Sequence, residues 1–220
     1  LRKRKAITLG IDIYEIKLDE DFLMSSLFTV AEVALANLSL AELSEPYVDV
    51  VVGGLGLGYT ARTVLEHSNV RELLIIDTMR EVIEWHQQGL LPIGEQLTAD
   101  PRCRFVHGDF FAMSASPSEG FDPESQGRRY NAILLDVDHS PQNVLHPSHA
   151  PFYESVGLRQ LTSHLLPGGV FALWSNDPPD DQFQAALSEA FAYYETHVVT
   201  FSNPIQHRDE ANTIYIARHE

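Results

Sequence analysis

Cysteine is almost absent from this 220-residue chain. Cys103 stands alone, so no internal disulfide can form, and a reducing, cytoplasmic setting is the expectation. It sits just before the apolar pair Phe105-Val106, which reads as a buried strand thiol and not a nucleophile. Long apolar runs are missing as well. Nothing approaches the roughly 20 apolar residues of a membrane-spanning helix, so no membrane partner is expected. Leu1 to Lys5 are basic but lead into no apolar h-region, so they do not read as a signal peptide. The chain opens on Leu, and the natural start is expected further upstream. Positive charge is scarce: 15 Lys plus Arg face 31 Asp plus Glu, a formal charge of -16. Such a field repels phosphate backbones, which disfavours nucleic acid, and attracts cationic small molecules; solubility alone is the other reading of it. What is present, 44% hydrophobic and 21% charged residues, matches a folded globular chain long enough to bury a core.

From about residue 47 the pattern alternates apolar strands with helical stretches. Tyr47 to Val52 is a β-branched run ending at glycines and reads as a buried strand. Tyr59 to His67 follows as a helix, Arg71 to Asp77 as a second strand, and Met79 to Leu90 as a second helix. Arg102 to Val106 and Tyr130 to Val137 read as the third and fourth strands. Phe152 to Leu165 has helical spacing and stops at Pro167-Gly168-Gly169. Val170 to Ser175 is the fifth strand and Asp180 to Phe191 a helix with an acidic first turn. Strands near Glu195 to Phe201 and Thr213 to Arg218 close the chain as an antiparallel edge hairpin.

The expected fold is therefore α/β: a doubly wound, mostly parallel, Rossmann-like sheet of seven strands, with helices on both faces. Residues 1–45 read as a small N-terminal extension packed on the core, with one or two short strands in Ile7 to Leu18 and a helix or helix pair in Phe22 to Leu43. Residues 46–220 read as the main, Rossmann-like domain. Two loops are long. Met113 to Arg129 is rich in Ser, Pro and Gly and reads as a mobile surface insertion. Asp138 to Pro151 follows the fourth strand, where such folds place ligands, and is the better lid.

Gly53-Gly54-Leu55-Gly56-Leu57-Gly58 lies between the first strand and its helix, where glycines permit a sharp turn and close approach of a ligand to the backbone. The full G-x-G-x-x-G spacing fails at Tyr59, leaving a tight loop without a roomy pyrophosphate cradle. Asp77 ends the second strand, with Thr78 beside it, and a carboxylate there can accept both ribose hydroxyls. His107-Gly108-Asp109-Phe110-Phe111 ends the third strand and can offer Asp109 to an adenine amino group and an aromatic to its ring face; a simple β-turn is the plainer alternative. No G-K-[ST] follows the glycines, which leaves no support for a Walker-type ATP site. Together these pieces outline an adenosine pocket without phosphate ligands.

This order of motifs resembles the class I S-adenosylmethionine-dependent methyltransferase fold, and within it the spermidine synthase (polyamine aminopropyltransferase) family, over Asp19 to Ser175. The carrying pieces are VVGGLGLGYTARTVLEH, LLIIDTMREVIEWH, DPRCRFVHGDFFA, YNAILLDVDHSP and PFYESVGLRQLTSHLLPGGVFALWS. The resemblance implies decarboxylated S-adenosylmethionine, or S-adenosylmethionine, as co-substrate, held by Gly53, Gly54, Gly56, Gly58, Asp77, Thr78, Gly108, Asp109, Phe110 and Asp136. It implies a cationic amine as second substrate, Asp136 as the base that deprotonates it with Asp138 as second choice, and a homodimer. The chain differs from the family pattern at Leu57, where the family's loop carries an acid. It also differs in Asp136-Val137-Asp138-His139-Ser140-Pro141, where the family has D-x-x-D-P, and at residues 21–26, which lack a Tyr-His-Glu cluster.

Aminopropyl transfer is an in-line displacement with a neutral thioether leaving, so it needs no metal. Asp136, Asp138, His139, His146 and His149 share one stretch but match no ligand spacing, and no metal is expected. Asp177, Asp180 and Asp181 could hold the distal end of a cationic amine, or simply open a helix. Trp85, His86, Tyr193 and Tyr194 read as packing residues. Trp174 is placed to wall the pocket, and Tyr153 is either a site residue or a core aromatic. Two other functions stay open: methyl transfer from intact S-adenosylmethionine, with Asn176-Asp177-Pro178-Pro179 only superficially like a methyltransferase motif, and a non-catalytic nucleoside-binding or interaction protein.

Overall fold

The computed structural model describes residues 1–7, 10–18, 21–137 and 140–220. Strands Arg2–Ala6 (β1), Ile11–Leu18 (β2) and Asp21–Ser25 (β3) form an antiparallel three-stranded sheet of their own. Helix Val30–Ala41 (α1) follows. The main sheet is then laid down by Val48–Gly53 (β4), Val70–Asp77 (β5), Cys103–His107 (β6), Tyr130–Leu135 (β7), Leu165–Ser175 (β8), Tyr193–Asn203 (β9) and Arg208–Arg218 (β10). Its helices are Tyr59–Glu66 (α2), Arg80–Gln87 (α3), Gly94–Ala99 (α4), Phe110–Ser114 (α5), Ser155–Thr162 (α6) and Asp181–Ala190 (α7), with a 3-10 segment Pro147–Tyr153 ahead of α6. No helix among the described residues is long and apolar enough to cross a membrane.

The main sheet runs in the order β6-β5-β4-β7-β8-β10-β9. The first five are parallel and β10 runs antiparallel to both its neighbours, β8 and β9, so that β9 and β10 close the sheet as the expected antiparallel edge hairpin. Side chains alternate between two cores because strand residues point to opposite faces. Val50 and Val52 pack with α1, α2 and α3, whereas Val51 packs with α5, α6 and α7. Chain order reverses beside β4, and the crevice outside its carboxyl end is where such sheets bind ligands.

Three expectations are corrected here. Helix does not start at Phe22. Gly10, with φ +69°, turns the chain so that β2 pairs with β1, and the main chain of β3 then pairs with β2 through Glu15↔Ser25 and Ile16↔Met24. Backbone bonds that a helix would make internally go to a neighbouring strand instead. The helix before Pro167 ends at Thr162, and the Pro-Gly-Gly run lies inside β8, where pairing with β7 shifts register between Tyr130↔Leu165 and Ala132↔Val170. The 113–129 loop is pinned. Phe121 is fully buried and stacks on Phe110 at 4.9 Å, and buried Asp122 pairs with Arg104. The short helices α4 and α5 were not read from the sequence, being too brief to show a period.

Candidate active site

A cavity of about 470 Å³ opens at the carboxyl ends of β4, β5 and β7, a size typical of small-molecule sites. The glycine loop forms one wall. Gly54 has φ +97°, and a Cβ there would lie 2.0 Å from the Asp136 carbonyl oxygen, so loop and β7 end touch with no room between. The Asp136 N–H in turn donates to the Gly53 carbonyl at 2.8 Å. Asp77 holds the loop from the other side. Its Oδ2 accepts from Leu55 N–H at 2.9 Å and its Oδ1 from Met79 N–H at 2.8 Å. Burial pushes the Asp77 carboxyl above the usual range, and these N–H groups oppose that rise. His86, fully buried on α3, is placed by its Nε2 3.0 Å from the Gly56 carbonyl; burial lowers its pKa, so it supports the loop as a neutral ring.

The sequence candidates converge. Gly54, Gly56, Gly58, Asp77, Thr78, Gly108, Asp109, Phe110 and Asp136 all border the cavity. Gly53 lies behind it, because a Cβ there would meet the Phe110 ring at 2.4 Å. Asp109 caps α5, its Oδ1 accepting from Phe111 N–H at 2.9 Å. Phe110 is 4% exposed and packs in the core; Phe111 also borders the cavity, its ring stacked on His149 at 3.9 Å. His149, Leu145 and Tyr153 bring the loop after β7 onto the cavity, and burial raises the Tyr153 phenol well above its usual value. Trp174 borders the cavity as well. The Asp136 carboxylate accepts from the Thr60 hydroxyl. Asp138 and His139 lie outside the described residues.

The acidic rim after β8 belongs elsewhere. Asp180 caps α7, its Oδ1 accepting from Gln182 N–H at 2.8 Å, and its own N–H donates to Tyr215. Asp177 accepts from Ser140 and Asn143, tying down the loop after β7. Neither borders the cavity, nor does Asp181. Burial pushes the Cys103 thiol up to about 12, which leaves it inert.

Sequence reading missed the residues that precede β4. Met24 presses on the glycine loop: a Cβ on Gly56 would meet its Sδ at 2.4 Å, and Leu57 N–H points at that sulfur at 3.1 Å. Leu57 itself is 1% exposed and packs with Ile16 and Leu91. Phe28 and Glu32 also border the cavity. Glu32 is 9% exposed in the first turn of α1, where an acid is ordinarily assigned to the helix dipole. Its burial, and then the charge of Asp136, raise its carboxyl to about 8. Among the described residues, the cavity lining holds five carboxylates (Glu32, Asp77, Asp109, Asp136 and Glu210) and no Lys or Arg.

Topology and cradle define the class: a Rossmann-like domain of the class I methyltransferase type, with a cavity at its switch point. Within that class the chain is similar to polyamine aminopropyltransferases. It is 29% identical over 163 residues to polyamine aminopropyltransferase 2 of Pseudomonas aeruginosa, covering 69% of this chain and 42% of that one. It is 28% identical over 149 residues to the polyamine aminopropyltransferase of Sulfolobus acidocaldarius, covering 66% and 44%. The chain thus spans less than half the length of these relatives. Its fold is that of the spermidine synthase from Thermotoga maritima, with a TM-score of 0.71 at 17% identity over 100% of this chain and 72% of that one. No family model matches the chain.

Proposed function

We propose that the chain transfers an aminopropyl group from decarboxylated S-adenosylmethionine to an amine. The observation that carries this reading is the acidity of the cavity: five Asp and Glu side chains and no Lys or Arg among its described lining residues. Such a site favours a ligand with a sulfonium and an ammonium over one whose tail also bears a carboxylate. Its likeness to two polyamine aminopropyltransferases supports the same choice.

In this reading the glycine loop meets the nucleoside, Asp77 with Thr78 the ribose, and Gly108, Asp109 and Phe110 the adenine. Asp136 faces the reacting carbon. The amine nitrogen forms a bond to that carbon as the carbon–sulfur bond breaks. Its electron pair stays on sulfur as a neutral thioether, and the amine proton passes to Asp136. The Thr60 hydroxyl holds that carboxylate in one orientation. The test is calorimetric titration with decarboxylated and intact S-adenosylmethionine side by side, followed by an amine panel. Tighter binding of the decarboxylated form and an aminopropylated product support the proposal. Preference for the intact form would move the assignment to methyl transfer, and binding with no product from any amine would point to a non-catalytic protein.

A further inference from the structure

Glu32 is a carboxylate with no use in the nucleoside cradle. It comes from α1, outside the strand ends that supply the other acids, yet it borders the same cavity. It is 9% exposed, and no Lys, Arg or His pairs with it among the described residues. Thr60 links it to the reaction centre: the Thr60 hydroxyl donates to Asp136, and its oxygen lies 3.4 Å from the Glu32 carbonyl. Phe28 and Trp174 border the cavity with it, and aromatic faces attract a cation. Burying a carboxylate without a countercharge is costly, and here the cost shows as a carboxyl raised to about 8. A ligand cation would relieve it.

We propose that Glu32 anchors the primary ammonium at the end of the aminopropyl tail, and so selects the decarboxylated tail over one bearing a carboxylate. This rests on the aminopropyl-transfer reading above. Asp136 and Glu32 then divide the work: one faces the carbon that is attacked, the other fixes the far end of the three-carbon chain, holding it in line.

The test isolates the ammonium. S-adenosyl-3-thiopropylamine and methylthioadenosine are both neutral at sulfur and differ by the amine-bearing tail. Both are titrated into the wild-type protein, Glu32→Gln and Glu32→Asp. Wild type is expected to prefer the amine-bearing ligand, and Glu32→Gln to lose affinity for it roughly tenfold to hundredfold. Methylthioadenosine should bind all three alike, which also reports that each variant is folded. Glu32→Asp should recover part of the preference. Unchanged affinity of Glu32→Gln for the amine-bearing ligand overturns the assignment, as does a wild type that binds both ligands equally; in either case the nucleoside site stands. A wild type that binds neither ligand overturns the assignment together with the reading beneath it.

Discussion

Asp77 and Leu55 are joined by a hydrogen bond of 2.9 Å that crosses from the end of one central strand to the glycine loop of the next. The same carboxylate accepts from Met79 N–H. The aspartate proposed to meet the ribose is therefore also the tie that shapes the loop. Asp77→Ala leaves two inward-facing N–H groups without their acceptor. The expected cost is on the order of 2 kcal/mol, or a fall in unfolding midpoint of roughly 4–8 °C at this chain length. Nucleoside affinity should fall at least about tenfold, since the acceptor and the loop shape go together. Calorimetry and thermal denaturation on one sample separate the two effects; unchanged affinity would place the ribose elsewhere.

Asp136 is expected to behave differently. Its side chain meets Thr60, while its main chain makes the contact to the glycine loop. Asp136→Asn keeps the main-chain contact and loses the base. Turnover should drop by roughly 10²–10⁴ with nucleoside affinity little changed. Stopped-time product assays with the amine that the panel identifies would show this, and retained turnover would remove Asp136 as the base.

Phe121 decides whether the 113–129 segment is an insertion or part of the core. Its ring is fully buried and touches Phe110, Tyr130 and His164. Phe121→Ala should cost about 3–5 kcal/mol, lowering the midpoint by roughly 6–20 °C. A change within about 0.5 kcal/mol, as for a surface position, would return the segment to the status of a mobile loop.

Glu32 gives stability a pH dependence of a definite sign. The titratable groups facing it among the described residues are Asp136 from the end of β7 and Tyr59 from α2. Its folded carboxyl sits at about 8 against an ordinary 4.5, so between those values the folded chain holds a proton that the unfolded chain has released. The contribution is complete below pH 4.5 and is lost as pH rises to about 8. Glu32→Gln should remove this loss, so its unfolding midpoint relative to wild type should be higher at pH 9 than at pH 5. Equal offsets at both pH values would show that Glu32 titrates normally.

The sequence by itself determined the sheet and the cradle, because both are written locally. Buried parallel strands need continuous apolar runs such as Val50-Val51-Val52, and the tight turn after β4 needs glycines whose spacing is visible in a single line of text. Strand-terminal acids such as Asp77 and Asp136 fall at the same edge of the sheet once the strands are parallel, so their convergence was legible too. Tertiary structure alone decided the rest. Residues 21–25 pair as a strand, against their helical spacing, because β2 presents them an edge to pair with. Pro-Gly-Gly sits in a strand because β7 supplies a bulged register for it. Asp177 and Asp180 turn away from the cavity because loop and helix N–H and O–H groups claim them first. Glu32 and Met24 reach the site from the segment before β4, across a separation that no period or spacing records. An acid in the first turn of a helix looks the same in sequence whether it faces water or a cavity; only packing removes the water, and burial, with the charge of Asp136 beside it, gives the carboxyl its altered chemistry.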